Sequence, residues 1–219
     1  MLHRHLYAMA LFICIGSCVT CRAWVEESQS PATQPATTQA ALPDADDEDL
    51  RVLAKVAEDF LAQVDADQKR PPPQKAITKV LVHVQSSPPS HFMSAGQMIG
   101  DTRSFKISDE LFADFTARNQ APVSLAKLGD HSRAVIVTDL KRLFATAPAR
   151  VHEPNLIRET YPGARDYISF WLPGYTKDRE TALVRISFGW TPHGACATFM
   201  LKRDKSGWHV VNRDFCYYA

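Results

Sequence analysis

The last third of the chain alternates. In "ALVRISF", from Ala182 to Phe188, an extended backbone sends Val184, Ile186 and Phe188 to one side and Arg185 and Ser187 to the other, because successive side chains of a strand point to opposite faces. Two Pro-Gly pairs precede it, in Tyr161-Pro162-Gly163 and Leu172-Pro173-Gly174. That order suits type II turns and leaves Tyr167 to Leu172 as a strand between them. Behind it, Ala197 to Lys202 and Trp208 to Phe215 flank "RDKSG", a hairpin signal. Strands joined by such short turns pair antiparallel, so the C-terminal third predicts an antiparallel sheet.

Helical spacing dominates upstream. From Asp46 to Val64, the residues Leu50, Leu53, Ala57, Phe60, Leu61 and Val64 recur on one helical face. Asp46, Asp47, Glu48 and Asp49 suit the positive end of that helix. Pro71-Pro72-Pro73 then forbids helix. Thr78 to Val84 reads as a strand that Pro88-Pro89 ends. Ser108 to Asn119 reads as a second helix, with Ser108 as its N-cap and Leu111, Phe112 and Phe115 inward. Ala134 to Val137 is a short buried strand and Leu140 to Phe144 a helical turn. Helices first and strands last predict an α+β domain: an antiparallel sheet, strand-rich in its C-terminal third, packed on one face by one or two helices. No internal repeat divides it, and Asp46 to Ala219 has the length of a single domain.

The N-terminus reads as an address. His3, Arg4 and His5 precede an apolar run from Leu6 to Ile15. The run is well short of the roughly 20 residues that a membrane-spanning helix needs and matches the apolar core of a signal peptide. Ile15-Gly16-Ser17-Cys18 resembles a lipobox, which makes residues 1–17 a lipoprotein-type leader and Cys18 the lipidated N-terminus. Cleavage near Ala23 is the alternative. Residues 18–45 form a tether rich in Pro, Ala, Thr and Gln, a composition that cannot bury enough apolar surface to offset its ordering. The whole chain carries 25 Lys and Arg against 24 Asp and Glu. That balance predicts no nucleic-acid partner, since such binders carry a basic excess or stripe.

"YPGARDYISFWLPGYTKDRETALVRISFGW" and "GACATFMLKRDKSGWHVV" together resemble an uncharacterised family of secreted bacterial proteins. Its pattern is a YPG turn, a serine-bearing strand with Gly-Tyr or Gly-Phe, an AL-V-V-S strand, a Gly-rich loop and a closing hairpin with Gly-x-Trp. "LFADFTARNQAPVSL" fits the family's helix followed by Asn. The resemblance spans about Asp109 to Val211. Trp190-Thr191-Pro192-His193 replaces the family's more glycine-rich loop. The resemblance implies a fold and export, and no mechanism.

Chemistry-bearing residues are sparse. His193, Cys196 and His209 place a thiol near two imidazoles, and a catalytic thiol needs such a base. No nucleophile motif surrounds Cys196. Glu153 with Glu159, and Asp178 with Glu180, are the carboxylate pairs available for acid–base work. Helix capping and solvated turns also explain them. The 8 His residues include no HExxH pair, so no metal is expected. No phosphate or dinucleotide fingerprint occurs, so no cofactor is expected either. Trp171, Tyr175 and Trp190 are candidates to line an apolar ligand cleft, or they are core. The expected function is a non-catalytic binding module of the cell envelope, lipid-anchored at Cys18 or secreted, meeting a protein or small ligand. The alternative is an envelope hydrolase using the 190–196 loop and Glu159.

Cys196 and Cys216 are the last two of 5 cysteines, and both fall in the terminal hairpin. With Asp204 to Gly207 as a four-residue loop, Arg203 faces Trp208, Leu201 faces Val210, and Cys196 falls opposite Phe215. A three- or five-residue loop, or one bulge, would instead bring the two cysteines opposite each other, close enough for a disulfide; the alternative is that both are buried small hydrophobes.

Overall fold

Helix α1 (Asp47–Asp67) starts inside the acidic run. Asp46 Oδ1 accepts the Asp49 amide at 2.7 Å, which satisfies one of the N–H groups that a helix start leaves unpaired. The computed structural model describes residues 41–67, 78–87, 105–145, 153–189 and 195–217. In it the expected stripe of Leu50, Leu53, Ala57, Phe60 and Leu61 is buried, widened by Val52 and Val56. Each large side chain of that stripe contributes ~1.5–3 kcal/mol by leaving water. The helix therefore depends on the sheet it covers more than on its own propensity.

The strands are β1 (Lys79–His83), β2 (Val135–Thr138), β3 (Ala164–Phe170), β4 (Gly174–Tyr175), β5 (Thr181–Phe188), β6 (Ala195–Asp204) and β7 (Gly207–Tyr217). They form one sheet in the order β2-β1-β3-β5-β6-β7, with β4 paired to β5. The domain is α+β and strand-rich at its C-terminal end. From β3 to β7 neighbours are antiparallel. β1 is parallel to both β2 and β3, so the sheet is mixed. Val80, Leu81 and Val82 are all fully buried. Such a continuous apolar run is what a parallel strand covered on both faces needs.

Helices cover both faces, not one. α1 packs over Val80, Val82, Ile168, Phe170, Val184, Ile186 and Phe199. On the other face, α2 (Asp109–Arg118) joins Leu111 and Phe115 to Trp171 and Leu183. The short α3 (Leu128–His131) lies beside α1. α4 (Leu140–Ala145) and α5 (Glu153–Thr160) enclose Leu81, Leu140, Ile157 and Ala164. Arg185, on the side of the strand opposite Val184 and Ile186, is only 1% exposed, because that face of the sheet is covered too. Ser108 caps α2 as its sequence suggested, its hydroxyl accepting the Leu111 amide at 3.3 Å.

The β6–β7 hairpin keeps the register expected near its turn. Arg203 pairs with Trp208 and Leu201 with Val210. The register then shifts between Met200 and Leu201, so Ala197 faces Phe215 and Cys196 faces Cys216. The folded part also starts earlier than Asp46. The Ser124 amide donates to Pro43 O at 2.8 Å and the Ala45 amide to Ser124 O at 3.0 Å. The expected leader, Cys18, most of the 18–45 tether, Trp190 and His193 lie outside the described residues.

Candidate functional site

Among the described residues, one cleft is set by a glycine. A Cβ on Gly174 would lie 2.5 Å from the backbone of Phe115, so only glycine lets β4 run directly against α2. Asn119, at the C-terminus of α2, fixes the approach. Its Nδ2 donates to Phe115 O at 2.8 Å and to Leu172 O at 2.9 Å, while its Oδ1 accepts the Leu172 amide at 2.7 Å. Two carboxylates at i, i+4 spacing on α2 share a face and hold the chain that follows. Asp114 accepts the Tyr175 amide and Glu110 accepts the Lys177 amide, each at 2.7 Å.

Beyond Tyr175 the chain turns back in a tight loop. The Thr176 amide donates to Thr181 O at 3.1 Å and the Arg179 amide to Thr176 O at 2.8 Å. The Asp178 carboxylate accepts the Thr176 hydroxyl at 2.6 Å and the Glu180 amide at 2.9 Å, and these bonds lower its pKa, the hydroxyl most. Arg179 takes φ 56°, left-handed backbone that costs a non-glycine residue roughly 1–2 kcal/mol. Its guanidinium carbon sits 4.6 Å from the centre of the Tyr175 ring, and that of Arg118 sits 5.0 Å from it. Between α2 and this loop opens a cleft of about 790 Å³.

Arg118 is spoken for. It grips Asp49 with two nitrogens at 2.9 and 2.8 Å and donates to Pro173 O at 2.8 Å. Asp49 is 1% exposed and also accepts the Tyr175 hydroxyl at 2.9 Å. Burial pushes the Asp49 carboxyl above its ordinary range, against the pull of Arg118. Burial, then the Asp49 charge, drives the Tyr175 pKa upward, so its hydroxyl stays a donor and does not act as a base. The trio ties α1, α2 and β4 together. Arg179 and Lys177 at the mouth are exposed.

A second cluster imitates a catalytic set. Ser206 Oγ lies 2.8 Å from His209 Nε2, and Asp204 Oδ1 lies 3.1 Å from that same nitrogen. In a serine–histidine–aspartate triad the two partners use opposite ring nitrogens. Here Ser206 also donates to Asp204 at 2.6 Å, and the group closes an exposed turn. A third group, Trp208 with Arg203, holds Glu48 at 2.8 and 2.9 Å, docking the hairpin on α1.

Of the residues singled out from sequence, Tyr175 lines the cleft and Trp171 lies in the apolar cluster beneath α2. Glu159 is exposed on α5. Asp178 and Glu180 belong to the loop at the mouth. Cys196 is a buried free thiol, and its strand register puts it opposite Cys216. Among the described residues no group of three or more His, Cys, Asp or Glu could hold a metal, and no helix is long and apolar enough to cross a membrane. Sequence reasoning missed Asp49, Arg118 and Arg179. Asp49 read as one more acid at a helix start, and nothing local marks Arg118 as its partner 69 residues on. Comparison with family models, with curated proteins and with solved structures finds no match to this chain.

Proposed function

We propose that the chain is an exported, lipid-anchored binding domain of a bacterial cell envelope, and that it takes an oxyanion-bearing ligand in the cleft between α2 and the Thr176–Thr181 loop without transforming it. One observation carries the ligand reading: Arg179 is held in left-handed backbone with its guanidinium over Tyr175. Strain of this kind gathers where a side chain must be presented. A guanidinium braced over a ring keeps its forked N–H edge for a carboxylate or phosphate. Arg118, Tyr175, Asp114 and Glu110 each hold a neighbouring segment in place, which supports a binding role for the cleft. The signal-peptide-like start and the Ile15-Gly16-Ser17-Cys18 sequence support export and anchoring.

Thermal unfolding in the presence of acetate, succinate or inorganic phosphate tests the cleft. A ligand that binds only the folded state raises the midpoint in a saturable way. The expected result is a saturable rise with at least one of these oxyanions that Arg179→Ala abolishes. An equal response in the variant, or no saturable response to any of the three, overturns the ligand reading. A response to phosphate alone assigns a phosphoryl group, and one to both carboxylates alone assigns a carboxylate.

A further inference from the structure

The β6–β7 register brings together the only cysteines that lie beyond the N-terminal region. Near the turn, Arg203 pairs with Trp208 and Leu201 with Val210. Carried on without interruption, that pairing would set Cys196 opposite Phe215. The shift between Met200 and Leu201 adds one residue to β7, and every later pair moves by one: Thr198 meets Asp214, Ala197 meets Phe215, and Cys196 meets Cys216. Directly opposed residues of antiparallel strands have Cα atoms about 4.5–5.5 Å apart, inside the roughly 4.4–6.8 Å window of a disulfide. Opposed residues also share a face of the sheet. The neighbour of Cys196 across β5 is Ser187, so Cys216 is the cysteine its position offers.

We infer that Cys196 and Cys216 form a cross-strand disulfide in an oxidising medium, and that the buried free thiol at Cys196 belongs to the reduced form. The oxidant is a small or protein disulfide. The thiolate of one cysteine attacks a sulfur of that disulfide, expels one thiolate and is left in a mixed disulfide. The second cysteine then attacks the protein sulfur of the mixed disulfide and expels the second thiolate. Two protein thiols lose two protons and two electrons, and one external disulfide becomes two thiols. Cys196 is 7% exposed, so the exchange proceeds while the hairpin is open, before the sheet closes over it. The bond joins the open end of the hairpin, far from the turn, where the edge strand β7 is held by pairing on one side.

The full chain, refolded in a mixture of oxidised and reduced glutathione, is digested with trypsin under non-reducing conditions. The expected product joins residues 186–202 to residues 214–219 and is two hydrogens lighter than the two peptides together. Adding reductant to the folded protein should lower its unfolding midpoint, and Cys216→Ser should have the lower midpoint with or without reductant. Free alkylation of both cysteines, lasting glutathione adducts on them, or bonds from them to Cys14, Cys18 or Cys21 would each overturn the inference. Only the occurrence of the bond in the cell rests on export. A protein that forms the bond in the mixture but is recovered reduced from cells therefore contradicts the export reading and leaves the pairing standing.

Discussion

Asp49 shows how much one buried charge controls. It is 1% exposed, gripped by Arg118 and capped by the Tyr175 hydroxyl. Removing a partner strands a buried carboxylate, which is costlier than the pair itself is stabilising. Arg118→Ala is therefore expected to lower stability by about 3–5 kcal/mol, and Tyr175→Phe by about 1–3 kcal/mol, both read by denaturant unfolding. A loss under 1 kcal/mol for Arg118→Ala would mean that the network contributes little. Asp204 behaves oppositely. The Ser206 hydroxyl and amide, then His209, hold its carboxyl down to about 2. A depressed folded-state value favours the fold above the ordinary carboxylate range, and that contribution is lost as pH falls toward about 2. A carboxyl-detected NMR titration should find this midpoint, and Ser206→Ala should move it back up. Little of this was legible beforehand. The sequence marks Tyr175 as an aromatic, but the partners that fix it come from α1 and α2, and the spacing of residues along one segment carries no signal of them.

Individual elements were more legible than their neighbours. α1 and α2 formed where apolar spacing and caps placed them, because amphipathic periodicity is local information. β1 formed too, but its parallel pairing with β2 and β3 depends on crossovers that no local pattern encodes. The run Val80-Leu81-Val82 carried a hint, since alternation should have left Leu81 on a wetter face and it is fully buried. In the β6–β7 hairpin the turn set the first pairs correctly. The bulge changed the rest, and Val211, in the stretch of β7 where the register shifts, is 44% exposed. A bulge also twists an edge strand away from unwanted pairing. β4 and α2 meet at close range. Gly174→Ala would drive a methyl to 2.5 Å from the Phe115 backbone, a clash no rotamer change relieves. Its expected cost is about 1–3 kcal/mol, together with weaker hydrogen-exchange protection of the Tyr175 and Lys177 amides. A variant as stable and as protected as the unmutated chain would contradict the close approach.

For the whole molecule, the proposed export and the proposed ligand binding can be tested separately. If Cys18 is the lipidated N-terminus, the protein fractionates with membranes, and Cys18→Ser either releases it or stalls its processing. A soluble mature form beginning near Trp24 in the unmutated protein would rule the anchor out. The composition of residues 18–42 predicts early cleavage by added protease, leaving a core that starts close to Pro43, because Pro43 and Ala45 pair with Ser124. The binding claim rests on the surface between α2 and the 176–181 loop, and amide NMR during titration with the oxyanion that gives the thermal response examines it residue by residue. Shifts should concentrate at Glu110 to Arg118 and Thr176 to Thr181, saturate with one affinity, and vanish in Arg179→Ala while the rest of the spectrum stays folded. Shifts centred elsewhere, or undiminished in Arg179→Ala, would contradict the binding claim.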